Sequence, residues 1–136
     1  MRWRMLLCAG WLISGWIGSA QAALLPSQPP PICLSQPGSA ACAAQTRQDL
    51  NARMNHLYRR EMQKVMGTDA ERRLDHAQNL WRRWANADCL FRNGPQDRGG
   101  PPWQIRQDAC LSDKIRNRIA QLVVYLHCVG NICPPG

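Results

Sequence analysis

Residues 68–89 carry the clearest helix signal of this chain, and a helix here restricts what the rest of the chain can fold into. Thr68 and Glu71 have the spacing of a capping box, in which the threonine hydroxyl accepts a first-turn N–H and the glutamate accepts the N–H of the cap residue. Apolar residues then recur at steps of three and four, namely Leu74, Ala77, Trp81 and Trp84. A helix with one apolar face must bury that face, so this segment predicts partner helices before and after it.

Helical spacing of apolar residues predicts a first helix over residues 41–66 and a third over residues 103–127. The stripe of the first helix shifts along its length and consists of Leu50, Met54, Leu57, Tyr58, Met62 and Val65. The stripe of the third consists of Ile115, Ile119, Leu122 and Leu126. Only Gly67 and Thr68 separate the first two helices, which predicts a tight hairpin. Strand signals are weak, so the predicted fold is all-α: a long antiparallel helical hairpin plus a third packed helix, stabilised by disulfides.

The first 22 residues have the pattern of a secretory signal peptide. Arg2 and Arg4 precede a short apolar run, and residues 20–22 (A-Q-A) have the form of a cleavage site. A retained membrane anchor is the weaker alternative, because the run is shorter than the roughly 20 apolar residues that span a bilayer. The mature protein is therefore predicted to begin near Ala23 and to be periplasmic or secreted.

The mature chain divides into a lead and one domain. Residues 23–40 are rich in proline and are predicted to form an extended lead, pinned by Cys33. Residues 41–136 are predicted to form a single helical domain, since the chain is short and shows no internal repeat. Residues 92–102, between the second and third helices, contain paired glycines and prolines, which predicts a loop without regular structure.

Export decides how the cysteines are interpreted. The chain has seven, of which Cys8 lies in the predicted signal peptide; a lipoprotein site there is disfavoured because Leu7 precedes it, where a small residue is expected. The other six form an even set, which predicts disulfides in an exported domain: Cys33, Cys42, Cys89, Cys110, Cys128 and Cys133. No C-x-x-C pair occurs, which argues against a zinc site and against a thioredoxin-like redox site.

The pairing of six cysteines cannot be read from sequence alone. The positions of the predicted helix ends favour Cys89 with Cys110, a bridge that closes the glycine-rich loop. Two local bridges then remain, joining Cys33 with Cys42 and Cys128 with Cys133. An alternative, Cys42 with Cys89, would tie the open end of the hairpin directly.

Several residues occur in an order that is similar to a known family. The first helix has a cysteine followed by Asp49, Leu50 and Asn51, and the second has Leu74, Ala77, Gln78 and Trp81 with Cys89 eight residues later. The third has Cys110, Arg118 and Leu122. In this order, over about residues 42–126, the chain resembles the lysozyme-inhibitor LprI-like family, formerly a domain of unknown function. The resemblance implies an exported helical protein that inhibits lysozyme.

The chain departs from the family pattern at a few polar positions. The family has Arg where this chain has Asn79, and Arg-Asp where it has Ala85 and Asn86. It often has Tyr and Thr where this chain has Met54 and Ile115. These differences would remove a polar network and leave the helical fold unchanged.

No catalytic or metal-binding pattern stands out. His56, His76 and His127 do not share metal-ligand spacing, and no Ser-His-Asp set is evident. The acidic residues with basic neighbours are typical of ion pairs on helix faces: Asp49, Glu61, Asp75 and Asp88. The protein is therefore predicted not to be an enzyme and to need neither metal nor cofactor.

Aromatic and basic residues allow a structural and a functional interpretation. Trp81 and Trp84 could stack on a sugar, but the stripe favours Trp81 as a core residue whose indole N–H bonds to Gln78 or Asn51. The arginine pairs at residues 59–60, 72–73 and 82–83 could bind anionic glycan, lipopolysaccharide or nucleic acid, although a solvated helix face is simpler. Export argues against nucleic acid.

Two functions fit these observations. In the first, the protein blocks the cleft of a lysozyme or other glycan hydrolase with the loop of residues 92–103, anchored by Arg92, Arg98 and Trp103. Charge is the objection: the formal net charge is +8, or +6 without Arg2 and Arg4, and many lysozymes are also basic. In the second, the protein is a periplasmic envelope module that binds anionic glycan or lipid head groups. In neither case is it predicted to span a membrane.

Overall fold

The computed structural model describes residues 31–100, 102–130 and 133. Within them lie four α-helices and one 3-10 turn, and no strand: α1 (Pro31–Ser35), α2 (Ala40–Val65), α3 (Asp69–Asn93), the 3-10 turn Gln96–Arg98 and α4 (Trp103–Leu126). The predicted all-α fold is confirmed. The predicted signal peptide and the first part of the proline-rich lead lie outside the described residues. No described helix combines the length and apolar content that crossing a membrane requires.

The connection between α2 and α3 is as short as predicted. Gly67 has φ +78°, a left-handed conformation that glycine adopts without steric cost, and it ends α2. Thr68 Oγ1 then accepts the N–H of Ala70 at 3.2 Å. The Glu71 carboxylate accepts the N–H of Gly67 at 2.7 Å, one residue before the predicted partner. The reason is that the N–H of Thr68 is already bonded to the Val65 carbonyl at 3.1 Å.

The main packing of the fold is between α2 and α4. These two helices share the most extensive contact surface, α3 contacts α4 less, and α2 and α3 contact each other least. The buried core therefore lies mainly between α2 and α4: Leu50, Met54, Ile115, Ile119 and Leu122. Half-buried side chains of all three helices pack against it: Leu57, Tyr58, Trp81, Val123 and Tyr125. The hairpin of α2 and α3 is thus held together chiefly through α4.

Three disulfides join the described elements. Cys33–Cys42 connects α1 with α2, Cys89–Cys110 connects α3 with α4, and Cys128–Cys133 closes the segment after α4. These are the three pairs that the sequence favoured, and the alternative bridge between Cys42 and Cys89 does not form.

The end of the proline-rich lead is not extended as predicted. Pro31–Ser35 forms the short helix α1. A hydrogen bond of 2.8 Å from the Gln36 N–H to the Ile32 carbonyl closes its end. Proline is compatible with the first position of a helix because its missing N–H would have no partner there. The bridge from Cys33 to α2 then holds this turn in place.

The loop between α3 and α4 is also more regular than predicted. α3 continues through Arg92 to Asn93 and ends at Gly94, whose N–H bonds to the Leu90 carbonyl at 2.8 Å. Gly94 has φ +71°, so the chain can leave the helix there without strain. The 3-10 turn Gln96–Arg98 follows, where no regular element was predicted.

Candidate functional site

One candidate surface is the tethered loop, residues 94–100, which joins α3 to α4. Next to the loop, the Cys89–Cys110 disulfide joins the two helices, and the Cα atoms of these two cysteines are 5.8 Å apart. The indole N–H of Trp103 donates to the Gly94 carbonyl at 2.9 Å, and Arg106 Nη2 donates to the Gly99 carbonyl at 3.2 Å. Covalent and hydrogen-bond attachments therefore hold both ends of the loop.

Trp103 is part of the support of this loop and not an exposed anchor, so that prediction is wrong. Its side chain is buried, with 7% of its surface exposed. The loop closes over the indole so tightly that a Cβ at Gly99 would lie 2.0 Å from Trp103 Cδ1. The indole thus fills the space beneath the loop, and its only polar atom is satisfied by Gly94.

The other two predicted anchors lie at the surface. Arg98 is exposed on the 3-10 turn, at the outer part of the loop. Arg92 is exposed in the last turn of α3, where its Nε lies 3.0 Å from Asp88 Oδ2. The sequence did not indicate Phe91, in the last turn of α3, as a surface residue; it is 88% exposed, more than any other large apolar side chain in the described part of the chain. Periodicity gave no signal for this exposure, because Phe91 lies seven residues after Trp84 and so continues the predicted apolar stripe of α3.

An ion-pair cluster stands beside the loop. Asp88 Oδ2 lies 2.6 Å from Lys114 Nζ and 3.0 Å from Arg92 Nε. The hydrogen bond from Lys114 holds the pKa of the Asp88 carboxyl below its usual value, and the Arg92 charge acts in the same direction. The Lys114 ammonium also lies 4.3 Å from the ring centre of Trp84. One face of Trp84 is therefore occupied by a cation and not open for stacking.

The second candidate surface is the α2/α3 groove, an open cavity of about 380 Å³ between α2 and α3 on the side away from their turn, with α4 contributing to its lining. Its apolar lining consists of Met54, Trp81, Ala85, Leu111 and Ile115. Its polar lining consists of Arg47, Asn51, Asn55, Arg82 and Asn86. The groove lies between two helices, α2 and α3, that contact each other less than either contacts α4.

Trp81 belongs to both the core and the groove. Its half-buried ring packs against the buried cluster and also lines the groove. The predicted bond between its indole and Gln78 does not form, because Gln78 has other partners. Gln78 Nε2 approaches Met54 Sδ at 3.7 Å, and its Oε1 accepts from Arg118 Nε at 2.8 Å.

The sequence that forms these helices and this loop matches the model of a known family. The chain matches the family model described as lysozyme inhibitor LprI over residues 33–122, a range that contains α2, α3 and the tethered loop. The chain belongs to the lysozyme inhibitor LprI family. No curated protein and no solved structure shows significant similarity to it. Membership in this family and the three disulfides both indicate a protein that works outside the cytoplasm.

Two residues of the LprI-like motif meet in the core of this family member. Gln78 and Arg118, forty residues apart, are buried and hydrogen-bonded to each other, and Arg118 Nη1 also donates to Gln121 at 3.0 Å. The other motif residues lie in different surroundings. Leu50 and Leu122 are buried in the core and Asn51 lines the α2/α3 groove. Leu74 and Ala77 line a smaller cavity of about 160 Å³ near the α2–α3 turn.

Asp108 is a buried carboxylate that the sequence analysis overlooked. It is 1% exposed, accepts from Arg47 Nε at 2.5 Å and from Gln104 Nε2 at 3.0 Å, and links the start of α4 to α2. Its position was detectable, since Asp108 and Ser112 continue the buried stripe of Ile115 backwards at helical steps. Helical spacing does not indicate that Arg47 is the partner of this carboxylate.

The described residues contain no cluster of three or more histidine, cysteine, aspartate or glutamate side chains that could hold a metal ion. His56, His76 and His127 are exposed, and His127 Nδ1 lies 2.8 Å from the Val123 carbonyl in the last turn of α4. Of the predicted acidic ion pairs, Asp88 pairs with Arg92 and Glu61 with Lys64 at 3.3 Å. The expectations of no cofactor and no catalysis stay predictions.

Proposed function

We propose that this protein is a periplasmic inhibitor that blocks the cleft of a lysozyme-type glycan hydrolase, after its signal peptide is removed near Ala22. The family match over residues 33–122 is the observation that carries the proposal. The protein itself performs no catalysis in this proposal and acts by occupying the substrate site.

The tethered loop is the surface that we assign to the enzyme. Its attachments to Trp103, Arg106 and the Cys89–Cys110 bridge restrict its motion before binding, so less conformational entropy is lost in the complex. Phe91 replaces the buried Trp103 as the aromatic anchor, because its ring is almost fully exposed beside the loop. Arg and aromatic side chains in the centre of an interface commonly dominate binding energy.

Arg98 supplies the charge that fits such a cleft. Glycan hydrolases of this type carry paired catalytic carboxylates, and a guanidinium can form two parallel hydrogen bonds to one carboxylate. The net positive charge of the chain would slow association with a basic lysozyme, but this long-range repulsion is screened by salt, unlike the local contact. Arg92 is a weaker anchor because its guanidinium already pairs with Asp88.

The proposal is tested by inhibition of c-, g- and i-type lysozymes with the oxidised chain of residues 23–136. Phe91→Ala combined with Arg98→Ala should weaken inhibition by about thirtyfold or more, since loss of an anchor costs about 2 kcal/mol. A matched control is Val124→Ala combined with Arg72→Ala, which removes an exposed apolar side chain and an exposed arginine from other surfaces. Far-UV circular dichroism should be unchanged for both.

Two results would contradict the proposal at different levels. If the wild-type protein inhibits no lysozyme at micromolar concentration, the inhibitory function is wrong. If inhibition is present and the control pair weakens it while the Phe91 and Arg98 pair does not, the function stands and the assigned surface is wrong.

A further inference from the structure

We propose that the α2/α3 groove is a binding site for a saccharide that carries a carboxylate, separate from the lysozyme-binding loop and independent of it. The cavity of about 380 Å³ lies within the size range of small-molecule sites, roughly 300–1,000 Å³. It combines an apolar wall with convergent polar side chains, which is the usual composition of such sites.

The polar lining is chemically suited to an anionic sugar. Three side-chain amides, on Asn51, Asn55 and Asn86, each offer a donor and an acceptor, which matches sugar hydroxyl and acetamido groups. Two guanidinium groups, on Arg47 and Arg82, offer the planar pair of N–H donors that fits a carboxylate. No acidic residue is among the described residues that line the groove, so a bound anion touches no carboxylate; the Asp108 carboxylate, which pairs with Arg47, is buried and does not line the cavity.

Neighbouring contacts hold both guanidinium groups before any ligand binds. Arg47 directs its Nε to the buried Asp108 carboxylate at 2.5 Å. Arg82 directs Nη2 to Asn55 Oδ1 at 3.0 Å, and Asn86 Nδ2 donates to the Arg82 carbonyl at 3.0 Å. The contact with Asp108 uses one of the five N–H donors of Arg47 and the contact with Asn55 uses one of those of Arg82, which leaves others for a ligand; the Asn86 bond goes to the Arg82 backbone and uses none.

Trp81 gives the groove its aromatic wall. The ring is half-buried and is held by packing against the core, so it presents a fixed surface to the cavity. The electron-rich face of an indole attracts the slightly positive C–H groups on one face of a sugar ring. A flat alkyl chain would use this wall but would exclude water from the remaining donors and acceptors of the polar side chains without replacing those hydrogen bonds, which disfavours a lipid tail.

The probe for this site is N-acetylmuramic acid, with N-acetylglucosamine as the matched sugar that lacks the carboxylate. In a ¹⁵N-correlated NMR titration of the oxidised chain, the Trp81 indole signal and the side-chain amides of Asn51 and Asn55 should shift saturably with the acid. The indole signal of Trp103, which lies under the tethered loop, should not move. The neutral sugar should bind at least about tenfold more weakly, because it cannot form a charge-assisted pair.

Two variants connect the binding to the groove. Arg82→Ala should weaken binding of the acid by about tenfold or more, whereas Arg83→Ala, an exposed arginine next to it that does not line the groove, should have no effect. Asn55→Asp places a carboxylate beside Arg82 with almost no change of shape, so the fold should persist while the anion is repelled. This variant should affect the acid much more than the neutral sugar.

The proposal is overturned if millimolar N-acetylmuramic acid leaves the Trp81 indole signal unchanged. An equal loss of affinity for the acid in the Arg82→Ala and Arg83→Ala variants would also overturn it. That result would show that the acid is attracted by the overall positive charge and not by the groove. Equal affinity for the two sugars would rule out the carboxylate as the recognised group. None of these outcomes depends on whether the protein inhibits lysozyme.

Discussion

Arg118 Nε donates a 2.8 Å hydrogen bond to Gln78 Oε1, and both side chains are almost completely buried. The bond joins α4 to α3, and the Gln78 amide also touches Met54 of α2 at 3.7 Å. The carboxamide of Gln78, a residue of α3, therefore links the other two long helices, α2 and α4, to its own. Because the guanidinium is charged and buried, each of its acceptors matters for stability.

Gln78→Ala should lower the free energy of unfolding by about 2–3 kcal/mol, because it removes an acceptor from a buried guanidinium and leaves a small cavity. Gln121→Ala is the matched control: Gln121 also accepts from Arg118 but is exposed, so water can replace it at a cost of about 0.5 kcal/mol. Urea unfolding followed by circular dichroism measures both. If both variants lose the same free energy of unfolding, burial of the Gln78 contact adds nothing to the stability.

Arg47→Ala should lower the free energy of unfolding by about 3 kcal/mol or more, since the Asp108 carboxylate is 1% exposed and would lose its charged partner. Arg72→Ala removes the same type of ion pair from the surface, where both partners are exposed, and should cost less than about 1 kcal/mol. Thermal unfolding of the two variants at neutral pH compares them directly. A similar loss for both would contradict a special role for the buried pair.

Asp88 should contribute a pH-dependent part of the stability. Its pKa in the folded protein is lowered from the usual 3.8 by Lys114 and Arg92, so its contribution is fully present above the unfolded pKa. That contribution is lost as pH falls through the lower, folded pKa. Asp88→Asn should therefore be less stable than wild type at neutral pH, and the difference should shrink under acid conditions. Unfolding midpoints measured from pH 7 downwards test this, and a difference that grows in acid would contradict it.

The Cys89–Cys110 bridge joins residues with a sequence separation of 21 and should contribute about 3 kcal/mol to the free energy of unfolding. Replacing both cysteines by serine should lower stability by that amount and should also weaken lysozyme inhibition, because the tethered loop loses its covalent support. The Cys128–Cys133 bridge, with a separation of 5, should contribute about 2 kcal/mol and leave inhibition unchanged. Inhibition that survives loss of the first bridge would show that the loop needs no tether.

Local sequence patterns predicted the helices and bridges well, for a physical reason. The capping residue Thr68, the helical spacing of Ile115, Ile119 and Leu122, and the glycine at 67 each act within a few residues of the chain. The order of the helices favoured the observed disulfide pairing but left the bridge between Cys42 and Cys89 open, and only the packed structure decided between them.

The candidate sites depended on information that local patterns do not contain. Trp103 and Phe91 flank the same loop, yet one is buried and the other exposed, because the loop folds back over the first ring. Periodicity could indicate that Asp108 faces inward, but not that Arg47, 61 residues away, is its partner. These outcomes arise only when three helices pack together.

The sequence by itself thus determined an all-α chain with three long helices, one short hairpin turn and six cysteines suited to bridges, since these follow from short-range geometry and from cysteine chemistry. The tertiary structure alone decided that α4 packs chiefly on α2, that α2 and α3 leave a groove between them, and which side chains remain exposed at the loop. The physical reason is that burial and distant ion pairs depend on how side chains from separate helices fit together, and that fit is a property of the packed molecule.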